Sequence, residues 1–200
     1  MAAGRAGLQD WSAPALLAAQ AISTFNHSML RSATLTLVSF RGLSALGMAT
    51  ETVIALSTLV VVLPYVLLSL PAGRLSDKLS RTTIIRKMIG IDVPIVVLGV
   101  LGLAAGQVIL LVIVLLLAGI QAALLGPAKY AILPDLVPPD RLVWINGWIS
   151  AAGTVAVTLG LTLGSLLALN DVGLLALMAV LPILSAMGDH WKQYKDAGKR

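Results

Sequence analysis

The sequence predicts an all-α membrane protein, a bundle of six transmembrane helices. Three observations carry that prediction. Hydrophobic residues make up 58% of the 200 positions and charged residues only 12%. Soluble domains are roughly 45–50% apolar and about 25% charged, so too little polar surface remains here to wrap a water-soluble globule. Disorder needs the opposite composition. Six stretches are long and apolar enough to cross a bilayer, which takes about 20 residues at 1.5 Å rise each. The Lys and Arg residues fall almost entirely on one side of those stretches.

The first span runs from Pro14 to about Phe40 and carries Asn26, His27 and Arg31. The second runs from Val53 to about Leu70, and the third from Met88 to about Ala105 with Asp92 inside it. The fourth, Val108 to about Leu125, is aliphatic apart from Gln121. The fifth runs from about Trp144 to Leu169, and the sixth from about Val172 to Met187. Residues 1–12 form an N-terminal tail, 13–188 the bundle, and 189–200 a basic tail. The runs do not alternate with period two, so they are helices and not barrel strands.

Topology follows from the basic residues. Twelve lie in the N-terminal tail, between spans two and three, between four and five, and after span six. Arg41 alone lies on the other side, and Arg31 is inside the first span. The positive-inside rule therefore places both termini in the cytoplasm. The first segment is too long for a signal peptide, whose apolar core is about 7–15 residues. The chain has no cysteine, so thiolate metal sites and disulfides are excluded. His27 and His190 are far apart, and no phosphate-cradling glycine loop or metal-ligand spacing occurs. An enzyme, a cofactor, a metal site and a nucleic-acid partner are therefore not expected.

Ionisable residues inside a membrane cost roughly 2.5–3.5 kcal/mol each on insertion scales and default to functional roles. His27 and Arg31 are four residues apart and share a helix face; Gln20 lies seven before His27, and Asn26 sits to one side. This stripe predicts a wet cavity along span one, with Gln121 facing it from span four. The alternative is interhelical hydrogen bonding without transport. Lys129, just past Pro127 at the membrane boundary, is expected to snorkel to the interface. Asp92 lies close in sequence to Arg86, Lys87 and the basic segment before them and is expected to pair with those cations, with proton carrying as the alternative. Gly153, Ala156, Gly160 and Gly164 fall on one face of span five, a close-packing groove. Gly73 offers a tight turn out of span two. Asp77 lies among Arg74, Lys78 and Arg81, as in a carboxylate–cation network or a solvated basic loop.

The order Gly73-Arg74-Leu75-Ser76-Asp77-Lys78-Leu79-Ser80-Arg81 resembles the signature loop between helices two and three of the major facilitator superfamily. The resemblance implies a cytoplasmic latch with Gly73, Asp77, Lys78 and Arg81, and Asp92 close by. Gln20, Phe25-Asn26, Leu30-Arg31 and the string Leu125-Gly126-Pro127-Ala128-Lys129-Tyr130-Ala131-Ile132-Leu133-Pro134 are similar to the bacterial lysophospholipid transporter group. That group is also found fused to acyltransferase and acyl-carrier-protein synthetase domains. The resemblance covers about residues 15–170. It departs at His27, where the group places Asp after the Asn of its first helix. A coupling role for that carboxylate would fall to His27 here. The superfamily has twelve spans in two similar halves, so the chain looks like an N-terminal half.

The resemblance implies a half-length transporter moving lysophospholipid by alternating access in the bacterial inner membrane. Gln20, Asn26, His27, Arg31, Gln121 and Lys129 are its expected substrate contacts. A second six-helix bundle, either another copy or a separate C-terminal half, is the expected partner. Two alternatives stay open: a proton-coupled carrier of small solutes or drugs, and a non-transporting membrane module serving an acyltransferase.

Overall fold

The computed structural model of the protein describes residues 3–41, 47–78 and 81–168. Among them every long element is a helix. These are α1 (Ala3–Arg41), α2 (Thr50–Lys78), α3 (Arg81–Ala104), α4 (Val108–Leu136) and α5 (Leu142–Ala168), with a short 3-10 turn at Pro139–Arg141 before α5. Three stretches are long and apolar enough to cross a membrane: Thr50–Leu68, Val108–Pro134 and Pro139–Ala168. Gly90–Ala104 is a shorter apolar helix. The predicted sixth span, Val172–Met187, and the basic tail lie outside the described residues.

The helices are bound by short connections. α3 ends in a Schellman motif at Gly106, whose φ of +61° suits a residue without Cβ. Gly106 N–H donates to the Leu103 carbonyl at 3.2 Å, and Gln107 N–H to the Gly102 carbonyl at 3.0 Å. α4 then starts at once at Val108.

Two expectations need correction. Gly73 lies inside α2, not in a turn. Glycine costs only about 1 kcal/mol in a helix, and leaving backbone groups unpaired near lipid costs more. The Gly126–Pro134 string also lies inside α4 and not after it, with Pro127 and Pro134 both helical.

α1 is the hub. Its buried residues reach four neighbours: Leu30 meets Ile95 of α3 with Val114 and Ala118 of α4. Ala33 and Leu37 meet Ala168 of α5. Val38 meets Val53 of α2 and Val108 of α4. The closest seam runs between α1 and α5. A Cβ at Gly160 would stand 2.8 Å from Ser28 Cβ, and one at Gly164 would stand 2.9 Å from Met29 Cα. Ser32 Oγ donates to the Leu161 carbonyl at 2.7 Å and lies 2.6 Å from Ser165 Oγ. The small-residue groove expected on span five is this seam: Ala156, Gly160 and Gly164 are all buried. Gly153 is different, with nothing within 4 Å of an added Cβ.

Candidate functional site

A cavity of about 510 Å³ opens between α1, α2, α4 and α5. Each wall has its own chemistry. α1 supplies Gln20, Ser23, Thr24, His27 and Ser28. α4 supplies Gln121, Gly126, Lys129 and Tyr130 among others, and α2 supplies Tyr65. α5 supplies Ser150, Gly153, Thr154 and Thr158. The cavity is therefore rich in hydroxyls and amides and carries a single ammonium.

The α1 wall exists because Gly160 and Gly164 draw α5 onto the α1 backbone, while Gly153, nearer the start of α5, remains clear and lines the opening. On α4, Gly126 lets Tyr65 of α2 approach: a Cβ there would stand 3.3 Å from the tyrosine hydroxyl. Lys129 Nζ lies 4.8 Å from the Tyr130 ring centroid, within cation–π range. Its ammonium reaches the cavity through an otherwise apolar helix.

The hydroxyls of α5 have a fixed polarity. Thr154 donates to the Ser150 carbonyl at 3.0 Å, and Thr158 donates to the Thr154 carbonyl at 2.9 Å. Their protons are thus spent on the preceding turn. What they offer the cavity is oxygen lone pairs, so this wall accepts hydrogen bonds and the Lys129 side donates them.

The structure divides the expected contacts. Gln20, His27, Gln121 and Lys129 line the cavity together. Asn26 and Arg31 are not among its lining residues. Asn26 is buried at 2% exposure, and Arg31 has a buried Nε without a hydrogen-bond partner. Gln20 Oε1 is likewise buried and without a hydrogen-bond partner, an acceptor held at the cavity wall.

Asp92 is a correction. Among the described side chains its ionic neighbour is on α1, and the Arg86 side chain lies outside the described residues. Asp92 Oδ1 lies 2.6 Å from Nε2 of His27 on α1, and its side chain is only 2% exposed. Lys87, by contrast, is exposed. One turn of α3 separates them, and the carboxylate turns into the bundle, where the imidazole is the nearer polar group. The backbone of Asp77 and Lys78 closes α2 and that of Arg81 opens α3, but their side chains lie outside the described part of the chain, as does Ser80.

Sequence reasoning missed Ser23, Thr24, Ser28, Tyr65, Ser150, Thr154 and Thr158. A signal existed on α5, where hydroxyl residues recur every fourth position at 150, 154, 158 and 162. Such residues are common in membrane helices because they bond their own backbone, so the repeat does not by itself announce a cavity.

Comparison with known proteins adds an independent line. The model of the Major Facilitator Superfamily matches residues 15–188. A 52-residue stretch is 46% identical to the lysophospholipid transporter LplT of Salmonella paratyphi B. That match covers 26% of this chain and 13% of the relative's length. No solved structure matches the chain.

Proposed function

The chain belongs to the major facilitator superfamily, and from that membership we propose that it moves a lysophospholipid across or between leaflets of the bacterial inner membrane. The observation that carries the reading is the cavity: one ammonium, Lys129, faces a wall of oxygen acceptors at Thr154 and Thr158. A phosphodiester headgroup needs a cation for its phosphate and acceptors for its hydroxyl or ammonium protons. Gln20, His27 and Gln121 supply further polar contacts, and the partial likeness to a lysophospholipid transporter supports the same cargo.

This bundle supplies the cavity with walls from α1, α2, α4 and α5. A second six-helix bundle closes it, and the two rock about the site to expose it alternately to each side of the membrane. Asp77, Lys78 and Arg81 latch the cytoplasmic end between strokes, where both termini lie.

The test is uptake of radiolabelled lysophospholipid into spheroplasts expressing the chain with and without a candidate second bundle. Uptake is expected only when both bundles are present, and Asp77→Ala is expected to reduce it several-fold. Equal uptake by the chain alone as a monomer would overturn the partner requirement. No uptake under either condition would overturn the cargo.

A further inference from the structure

Lysophospholipids differ in the charge of their headgroups, and the cavity is not indifferent to that charge. Among its described lining residues Lys129 is the one ammonium, and there is no carboxylate. The α5 wall of Ser150, Gly153, Thr154 and Thr158 is uncharged. Asp92, the buried carboxylate of α3, stands outside the lining.

A phosphodiester carries one negative charge, and Lys129 balances it. An ethanolamine or choline headgroup brings a positive charge into the same space. On this lining that charge has no counter-ion, and an unpaired charge away from bulk water is costly. An aromatic ring is the other group that receives a cation. The Tyr130 ring already has one, since Lys129 Nζ lies 4.8 Å from its centroid. Tyr65 is the one other ring on the lining, and a lone ring is not an aromatic cage.

A glycerol headgroup brings hydroxyls in place of the ammonium. Its phosphate and Lys129 sum to zero charge, and its O–H protons meet oxygen acceptors. Thr154 and Thr158 have given their own protons to the Ser150 and Thr154 carbonyls at 3.0 and 2.9 Å. Gln20 Oε1 is a buried acceptor without a partner on the facing helix α1. Every group of such a headgroup is thus matched, whereas a zwitterion leaves one charge over.

We propose that the cavity prefers lysophospholipids with an anionic, hydroxylated headgroup of the glycerol type over the zwitterionic ethanolamine and choline types, an inference that rests on the cargo reading above. The phosphate takes Lys129, and the hydroxyls take the acceptors of α5 and Gln20. Gly153 offers a way to reverse the balance. It lines the cavity, and an added Cβ there meets nothing within 4 Å, so a carboxylate fits without repacking.

The purified full chain in dodecylmaltoside is titrated by thermophoresis with lysophosphatidylglycerol, lysophosphatidylmethanol, lysophosphatidylethanolamine and lysophosphatidylcholine, all with the same acyl chain. Deacylated glycerophosphoglycerol is titrated beside them. Lysophosphatidylglycerol is expected to bind about tenfold more tightly than either zwitterion. Lysophosphatidylmethanol, with the same charge and no headgroup hydroxyl, is expected to fall between. Gly153→Asp is expected to abolish or reverse the preference and Gly153→Asn to keep it, with circular dichroism verifying the fold of both. Equal affinity for lysophosphatidylglycerol and lysophosphatidylethanolamine overturns the charge preference and leaves the lysophospholipid reading standing. Equal affinity for lysophosphatidylglycerol and lysophosphatidylmethanol overturns the part played by the hydroxyls. A preference that survives Gly153→Asp belongs to the basic surface of the chain and overturns the assignment to the cavity. Glycerophosphoglycerol binding as tightly as the lipid overturns the lipid source and keeps the headgroup chemistry. Failure of every ligand to bind overturns the cargo reading and the preference together.

Discussion

Lys129 sits on a helix whose other cavity residues are uncharged at Gln121, Ala122, Leu125 and Gly126. A lone ammonium in such a wall gives most of its energy to whichever anion enters. A hydrogen bond to a charged group contributes about 1.5–3 kcal/mol, and each 1.4 kcal/mol is about tenfold in affinity. Lys129→Gln is therefore expected to weaken binding of a lysophospholipid by about ten- to a hundredfold, and Lys129→Arg to retain most of it. Titration of the purified protein with a fluorescent lysophospholipid measures both. Equal affinity in Lys129→Gln would move the phosphate elsewhere. The residue scale is also where the sequence is hardest to read. Gln121 and Lys129 stand out because polar groups are rare in aliphatic spans. The pairing of His27 with Asp92 does not, because spacing reports neighbours on one helix and says nothing about a carboxylate 65 positions away on another. Arg86 and Lys87 drew attention away from His27 because they are close in sequence.

The α1–α5 seam governs the shape of the cavity, because it sets how far α5 stands from His27. Gly164 meets the Met29 backbone and Gly160 the Phe25 backbone carbonyl, neither of which can swing aside as a side chain does. Overpacking a tight contact costs typically about 1–3 kcal/mol, and backbone neighbours place these sites at the upper end. Gly160→Val and Gly164→Val are expected to lower the stability of the detergent-solubilised protein by about 3 kcal/mol each, read from unfolding in sodium dodecyl sulfate. Gly153→Ala, facing open space, is expected to change it by less than about 1 kcal/mol. Stability losses of equal size at Gly153 and Gly164 would contradict the seam. Helix positions and this groove were legible in the sequence, since length, hydropathy and small-residue spacing act locally. Helix ends were less so: Gly73 reads as a turn and span four as ending near Leu125, yet Gly73 and Pro127 are both helical. Near lipid the need to pair every backbone group outweighs weak breakers.

The whole bundle has two distinguishable ends. Val38, Val53 and Val108 meet at one, which joins the C-terminal part of α1 to the starts of α2 and α4. Leu133, Ile145 and Ile149 meet Leu16 and Leu17 at the other. Lys129 and Arg141 belong to the second end, which the positive-inside rule predicts to be cytoplasmic; Arg41 belongs to the first. Trp144 and Trp148, ring centroids 5.8 Å apart and both exposed, stand at the second end, where an aromatic pair suits the interface between headgroups and acyl chains. Large apolar side chains such as Leu59, Val66, Val155 and Leu159 are exposed on α2 and α5, two of the helices that line the cavity. These residues must meet either lipid or the proposed second bundle. The orientation is testable directly, because the chain has no cysteine and each introduced thiol is unique. Ala49→Cys and Asp140→Cys place thiols at exposed positions on opposite ends. In intact spheroplasts a membrane-impermeant maleimide is expected to label Ala49→Cys and to reach Asp140→Cys only after permeabilisation. The reverse pattern would turn the bundle over. It would put the proposed Asp77–Arg81 latch on the outer face, and Lys129 would then meet headgroups of the opposite leaflet.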